Sequence, residues 1–204
     1  GVPTYYVRLL QEPTFDAQHC KNMRLFISGS APLLTETFNE FRARTGAGHS
    51  ADSTAGHTIL ERYGMSETGM NTSNPLDGER KAGTVGLPLP DVEVRVVDER
   101  DQAVATDVIG AIQVRGPNVF AGYWRRPELN EAEFTRDAFF RTGDMGRFDA
   151  DGYLSIVGRS KDIVISGGLN IYPKETESYL DEIDGVVESA VMGVPHTDFC
   201  EAPS

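Results

Sequence analysis

The stretch Glu61-Arg-Tyr-Gly-Met-Ser-Glu67 follows directly on the apolar pair Ile59-Leu60 and sets an aromatic ring, a glycine, a hydroxyl and a carboxylate within five positions. Each matches one part of a nucleotide. Tyr63 can stack on a base and Gly64 lets the backbone come close to a phosphate. Ser66 can donate to that phosphate, and Glu67 offers the oxygen ligands that magnesium prefers. The same residues also suit a plain structural turn in which Ser66 caps a helix. What surrounds them decides between the two.

Upstream, the spacing predicts a helix beginning within Thr4 to Leu10 and a short buried strand over Met23 to Ile27, running into the turn Ser28-Gly29-Ser30. Thr35 is a candidate N-cap for a helix that puts Phe38 and Phe41 on one face and stops near Gly46. The small polar residues from Gly46 to Gly56 read as a loop. His49 and His57 lie in or beside it without a carboxylate or thiolate constellation, which argues against a metal there.

Downstream the period changes. Short β-rich runs (Val92 to Val97, Ala111 to Gly116) alternate with turn signals between Gly83 and Tyr153. Beyond Arg159 come a strand over Asp162 to Ser166, a Gly167-Gly168 turn, a helix over Pro173 to Leu180, and a strand within Glu188 to Val194. The expected fold class is α/β, with an α/β part over residues 1–82, a β-rich subdomain over 83–158 and a smaller α+β unit over 159–204.

Composition narrows the function classes. The 204 residues are 39% apolar, enough for a sizeable core. With 31 acidic against 19 basic residues the net charge is -12, and the Lys and Arg are scattered, so a nucleic-acid footprint is missing and a small-molecule substrate is the better expectation. Cys20 and Cys200 lie near opposite ends without a CxxC partner, which suits a reducing, cytoplasmic compartment. No apolar run reaches the roughly 18 residues of a membrane span.

Two further pieces follow the first in order. Phe140-Arg-Thr-Gly-Asp144 sets an aspartate at the end of an expected strand, where it can accept both hydroxyls of a ribose or form an ordinary Asx turn. Gly158-Arg-Ser-Lys-Asp162, followed by Ile163 to Gly168, puts a basic pair before a strand and a glycine turn, which also describes a surface hairpin. With Gly110-Ala-Ile-Gln-Val-Arg-Gly116 and Gly122-Tyr123-Trp124 between them, the ordered set resembles the adenylate-forming enzymes: acyl-CoA synthetases, luciferases and peptide-synthetase adenylation domains. The runs GVPTYYVRLL, ISGSAPL, HTILERYGMSETGMNTSNP and YPKE resemble malonyl-CoA synthetases in particular.

The resemblance implies the roles. Ser66 and Glu67 would serve the α-phosphate and Mg²⁺, Asp144 the ribose hydroxyls, and Arg159 the ribose or phosphate, with adenine between Tyr63 and the backbone of Ser30, Ala31 and Pro32. Lys161 would occupy the hinge of the small domain, and Gly167 and Gly168 would line the passage for the CoA thiol. Arg8 and Arg62, with the Ser30 hydroxyl, match the positions that clamp the second carboxylate of malonate, work that suits the planar fork of arginine. ATP and CoA would be co-substrates, and malonyl-CoA, AMP and pyrophosphate the products. Methylmalonate, a fatty acid, or a catalytically inactive nucleotide-binding fragment are the alternatives.

The family's phosphate-gripping loop and its C-terminal lysine are absent from these residues. Cys200 stands where the family pattern has glycine, and the Gly46–Gly56 loop is long. The expectation is a part of the large domain plus the start of the small one, inactive by itself.

Overall fold

The computed structural model describes residues 1–46, 57–181, 183, 185–186, 189–197 and 200–204. Most of the expected loop from Gly46 to Gly56, with His49, therefore lies outside the described residues.

Three four-stranded sheets follow one another along the chain. In the first, β1 (Phe26–Ser28) runs parallel to β2 (Ile59–Met65), while β3 (Gly69–Ser73) and β4 (Leu87–Pro88) add antiparallel. Helices α1 (Pro3–Gln11), α2 (Ala17–Cys20) and α3 (Thr35–Gly46) accompany it. Pro3 suits the first turn of α1, where its missing N–H costs nothing. Thr35, the candidate cap, is instead the first helical residue.

The core here is aromatic. Phe41 is fully buried and meets the rings of Tyr6, Phe15 and Phe26 at centroid distances of 5.3, 5.8 and 4.9 Å. Phe38 and Phe41 share the inward face of α3, as their spacing of three requires, and Leu33, Cys20 and Ile59 complete the cluster.

The second sheet is an antiparallel meander of β5 (Glu93–Val97), β6 (Gly110–Arg115), β7 (Phe140–Phe148) and β8 (Leu154–Arg159). The short helix α4 (Pro127–Glu133) lies between β6 and β7 in the chain. Asp144, expected at a strand end, sits inside β7. The pairs Ala111↔Met145 and Gln113↔Arg141 bracket Ile112 against three residues, so β7 bulges over Thr142, Gly143 and Asp144. The Thr142 hydroxyl donates to the Ile112 carbonyl at 2.9 Å across that bulge, a device that re-aims the next side chain.

The third sheet is formed by β9 (Val164–Ser166), β10 (Leu169–Ile171), β11 (Gly193–His196) and β12 (Cys200–Pro203), with α5 (Pro173–Asp181) between β10 and β11. The strand expected within residues 188–194 enters the sheet only at Gly193. The Val191 N–H is taken at 3.0 Å by the Glu177 carboxylate of α5 instead of by a neighbouring strand. No helix among the described residues is long and apolar enough to cross a membrane.

Strand β2 carries an unusual burden for a core strand: the carboxyl of Glu61 is buried, and its Oε1 has no hydrogen-bond partner. Burial pushes its pKa up to about 7, against the pull of the Gly83 and Leu33 backbone N–H groups. In the unfolded chain the same group titrates near 4.5, so between these values the folded protein holds the extra proton. The contribution is complete below the lower value and is lost as pH rises through the upper one, at up to about 1.4 kcal/mol per pH unit. Glu61→Gln should remove that slope. Urea unfolding of both proteins at several pH values checks it, and parallel profiles would refute it. At the centre of the first core, Phe41→Ala should cost ~3–5 kcal/mol in the same measurement.

Candidate nucleotide site

In β2 the residues from Ile59 to Tyr63 are buried except Arg62, which is exposed. Tyr63 belongs to the first sheet by its backbone, yet its ring packs with Val96, Ile112, Val114 and Leu154 of the second. The seam between the two sheets opens into a pocket of about 260 Å³, whose lining includes Ser30, Ala31 and Pro32 after β1, Tyr63 of β2, and Asp144 and Arg159 of the second sheet. Leu33, Val85 and Ile156 give it an apolar lining.

Gly64 explains how β2 turns into this seam. A Cβ there would come 2.1 Å from the Gly69 carbonyl, inside any allowed contact, just where the β2–β3 pairing shifts register. Residues Ser66 to Thr68 then form the turn of the β2–β3 hairpin, so Ser66 caps no helix.

Within the pocket the Tyr63 hydroxyl donates to Asp144 Oδ2 at 2.5 Å, and Arg159 Nε lies 3.1 Å from Asp144 Oδ1. The register Asp144↔Arg159 of β7 and β8 places that ion pair directly. Tyr63 and Asp144 are both buried, whereas the Arg159 side chain is 52% exposed. Burial raises the Asp144 pKa, opposed by the Tyr63 hydroxyl and by the Arg159 charge. The Tyr63 phenol is driven well above its ordinary range, first by burial and then by the adjacent carboxylate, so it remains a donor.

In the same lining Ser30 adopts a left-handed backbone (φ 72), a conformation that non-glycine residues reach at a cost and that clusters at functional sites. Arg62 lines the pocket too; its one hydrogen bond among the described residues is to the Met70 thioether at 2.6 Å, and it has no carboxylate partner there.

The other sequence candidates lie outside this lining. Arg8 is exposed in the last turn of α1, without an ion pair among the described residues. Lys161 is exposed in a single 3₁₀ turn, Ser160–Asp162, that follows β8, and Gly167 and Gly168 form the left-handed turn between β9 and β10. Ser66 and Glu67 stand at the hairpin turn beyond the pocket.

The donor chemistry at Glu67 fits magnesium. Its Oε1 accepts from the Tyr123 hydroxyl at 3.2 Å, which leaves the other oxygen available, and magnesium is commonly held by one or two carboxylates together with substrate phosphates. Among the described residues no group of three or more His, Cys, Asp or Glu side chains could hold a metal by itself.

Glu61 is a charged lining residue to which the sequence motif assigns no role, although a spacing of two in a strand puts it on the same face as Tyr63.

The chain is similar to known proteins in sequence and in fold. Residues 1–124 match the family described as AMP-binding enzyme. The malonate–CoA ligase of Arabidopsis thaliana is 41% identical over 211 residues, covering 99% of this chain and 33% of the relative. A long-chain-fatty-acid–CoA ligase of Bacillus subtilis is 37% identical over 197 residues, covering 96% of this chain and 33% of the relative. The ATP-bound structure of MatB from Rhodopseudomonas palustris superposes with a TM-score of 0.92 at 55% identity, covering 100% of this chain and 39% of that one. The chain thus spans about a third of the length of the curated relatives it matches. With well over half of its 204 residues inside the family match, and with a buried tyrosine and aspartate meeting at a pocket, this chain belongs to the AMP-binding enzyme family.

Proposed function

We propose that the chain is the nucleotide-holding portion of an AMP-forming acid–CoA ligase whose acid is malonate. The observation that carries this reading is the Tyr63–Asp144–Arg159 group lining one pocket together with Ser30, Ala31 and Pro32. A purine fits between an aromatic ring and a backbone wall, and a carboxylate beside it accepts the two hydroxyls of a ribose. Arg159 neutralises Asp144 and presents its exposed guanidinium toward phosphate or ribose.

In the enzyme that carries this chain, a malonate carboxylate attacks the α-phosphorus of ATP and pyrophosphate leaves. The CoA thiolate then attacks the acyl carbon and AMP departs with the former bridging oxygen. Glu67 would hold Mg²⁺, which lowers the charge on the phosphates when bound, and Ser66 would donate to the α-phosphate. Lys161 would sit at the pivot between the unit ending near residue 158 and the unit from 159 onward. Gly167 and Gly168 would border the path of the thiol.

Malonate is favoured by the charge pattern. In a chain of net charge -12, Arg62 lines the pocket without a carboxylate partner among the described residues, and a second carboxylate on the substrate supplies one. Arg8 and Ser30 would complete the clamp. A fatty acyl chain there would leave the guanidinium desolvated and unpaired, which is costly.

Calorimetry of AMP binding to the 204-residue chain tests the nucleotide part: Asp144→Ala should weaken binding by about 10–100-fold, and unchanged affinity would refute it. Pyrophosphate release by the whole enzyme tests the acid. Arg62→Ala should raise the KM for malonate by about 30-fold or more while sparing the KM for ATP. An equal effect on both substrates would remove Arg62 from the acid site.

A further inference from the structure

Asp144 meets two different kinds of partner. Arg159 approaches Oδ1 from the exposed end of β8, with more than half of its side chain in solvent. The Tyr63 hydroxyl reaches Oδ2 at 2.5 Å from inside the fold, where both residues are buried. A carboxylate oxygen has two acceptor sites, so each Asp144 oxygen keeps one for a further donor. Their direction depends on how the carboxyl plane is fixed. That plane rotates about a soft torsion unless a neighbour holds it.

An exposed arginine on a strand end is a loose restraint, since a long side chain in water samples many rotamers. The Tyr63 hydroxyl is a tighter one, because Tyr63 is buried and belongs to the same apolar cluster as Val96, Ile112, Val114 and Leu154. The ring also lines the pocket, so this residue has two separable parts: a face that a base can stack on and a hydroxyl that points away to Asp144. A phenylalanine would keep the first and lose the second.

We infer that Tyr63 is a positioning residue, whose hydroxyl fixes the Asp144 carboxyl plane so that its free lone pairs face the 2′- and 3′-hydroxyls of a bound ribose. The inference deepens the nucleotide reading above and rests on it. The role is distinct from stacking, and acts on the ribose alone.

The test compares AMP with 2′,3′-dideoxy-AMP, which has the same base and phosphate but neither hydroxyl, by calorimetry on the wild-type chain, Tyr63→Phe, Asp144→Asn and the double variant. Wild type should prefer AMP. Tyr63→Phe should lose about tenfold in affinity for AMP and less than about twofold for the dideoxy ligand, and its loss for AMP should vanish in the Asp144→Asn background. Equal losses for both ligands, or none for AMP, overturn the positioning role and leave the nucleotide reading standing. A wild-type chain that binds neither ligand overturns both. Should Tyr63→Phe fail to fold, the ¹³Cζ resonance of Tyr63 in the folded wild-type chain is the second measurement: different positions in the AMP and dideoxy complexes support coupling of the hydroxyl to the ribose-bound carboxylate, and identical positions overturn it.

Discussion

The hydrogen bond between Tyr63 and Asp144 is the constraint on which the site depends. It joins the first sheet to the bulged strand of the second, over 81 residues of chain. A single polar contact in water would be worth little, because each partner is already solvated. Here both are buried, and losing Tyr63 would strand Asp144 Oδ2 without that donor, with only the exposed Arg159 left to the carboxylate at Oδ1. The cost of breaking the pair therefore exceeds the gain of making it, and that asymmetry holds the seam in one register.

Several local features serve this contact. The bulge over Thr142, Gly143 and Asp144 lets β7 keep its pairing while turning one carboxylate toward the pocket. Gly64 lets β2 and β3 approach where their register shifts. The aromatic cluster around Phe41 anchors α3 and β2 behind the site, so that Tyr63 is presented from a rigid strand. Ser30 holds a left-handed backbone in the same lining, three residues before Leu33 of the first core.

Charge is distributed unevenly between scaffold and pocket. On the second sheet, Arg95 pairs with Asp137, Arg115 with Glu93 and Arg141 with Asp101, while Arg95 and Arg115 both lie over the Phe139 ring. Those guanidiniums are consumed by structure. Arg62 has no such carboxylate among the described residues, and Arg159 shares its only one with Tyr63. A protein with a large acidic excess that leaves an arginine unpaired at a pocket keeps an attraction available for an anion.

The sequence by itself determined much of this protein. The spacing of Phe38 and Phe41 marked the buried face of α3, the β-rich runs Val92 to Val97 and Ala111 to Gly116 marked two strands of the antiparallel meander, and the order of the short motifs identified the family. These are local or periodic signals, and local signals survive in a linear string. Glu61 was legible in principle, from the alternation that pairs it with Tyr63, yet a lone glutamate in a strand carries no sign of its burial. The start of the last strands was not legible, because Val191 gives its N–H to a side chain of α5. Only the tertiary structure decided that Tyr63 reaches Asp144 and that Ser30 lines the same pocket, while Arg8, Lys161, Gly167 and Gly168 stand outside the lining. Those relations join positions far apart in the chain, and their cause is the packing of one sheet against another, which no run of neighbouring residues encodes.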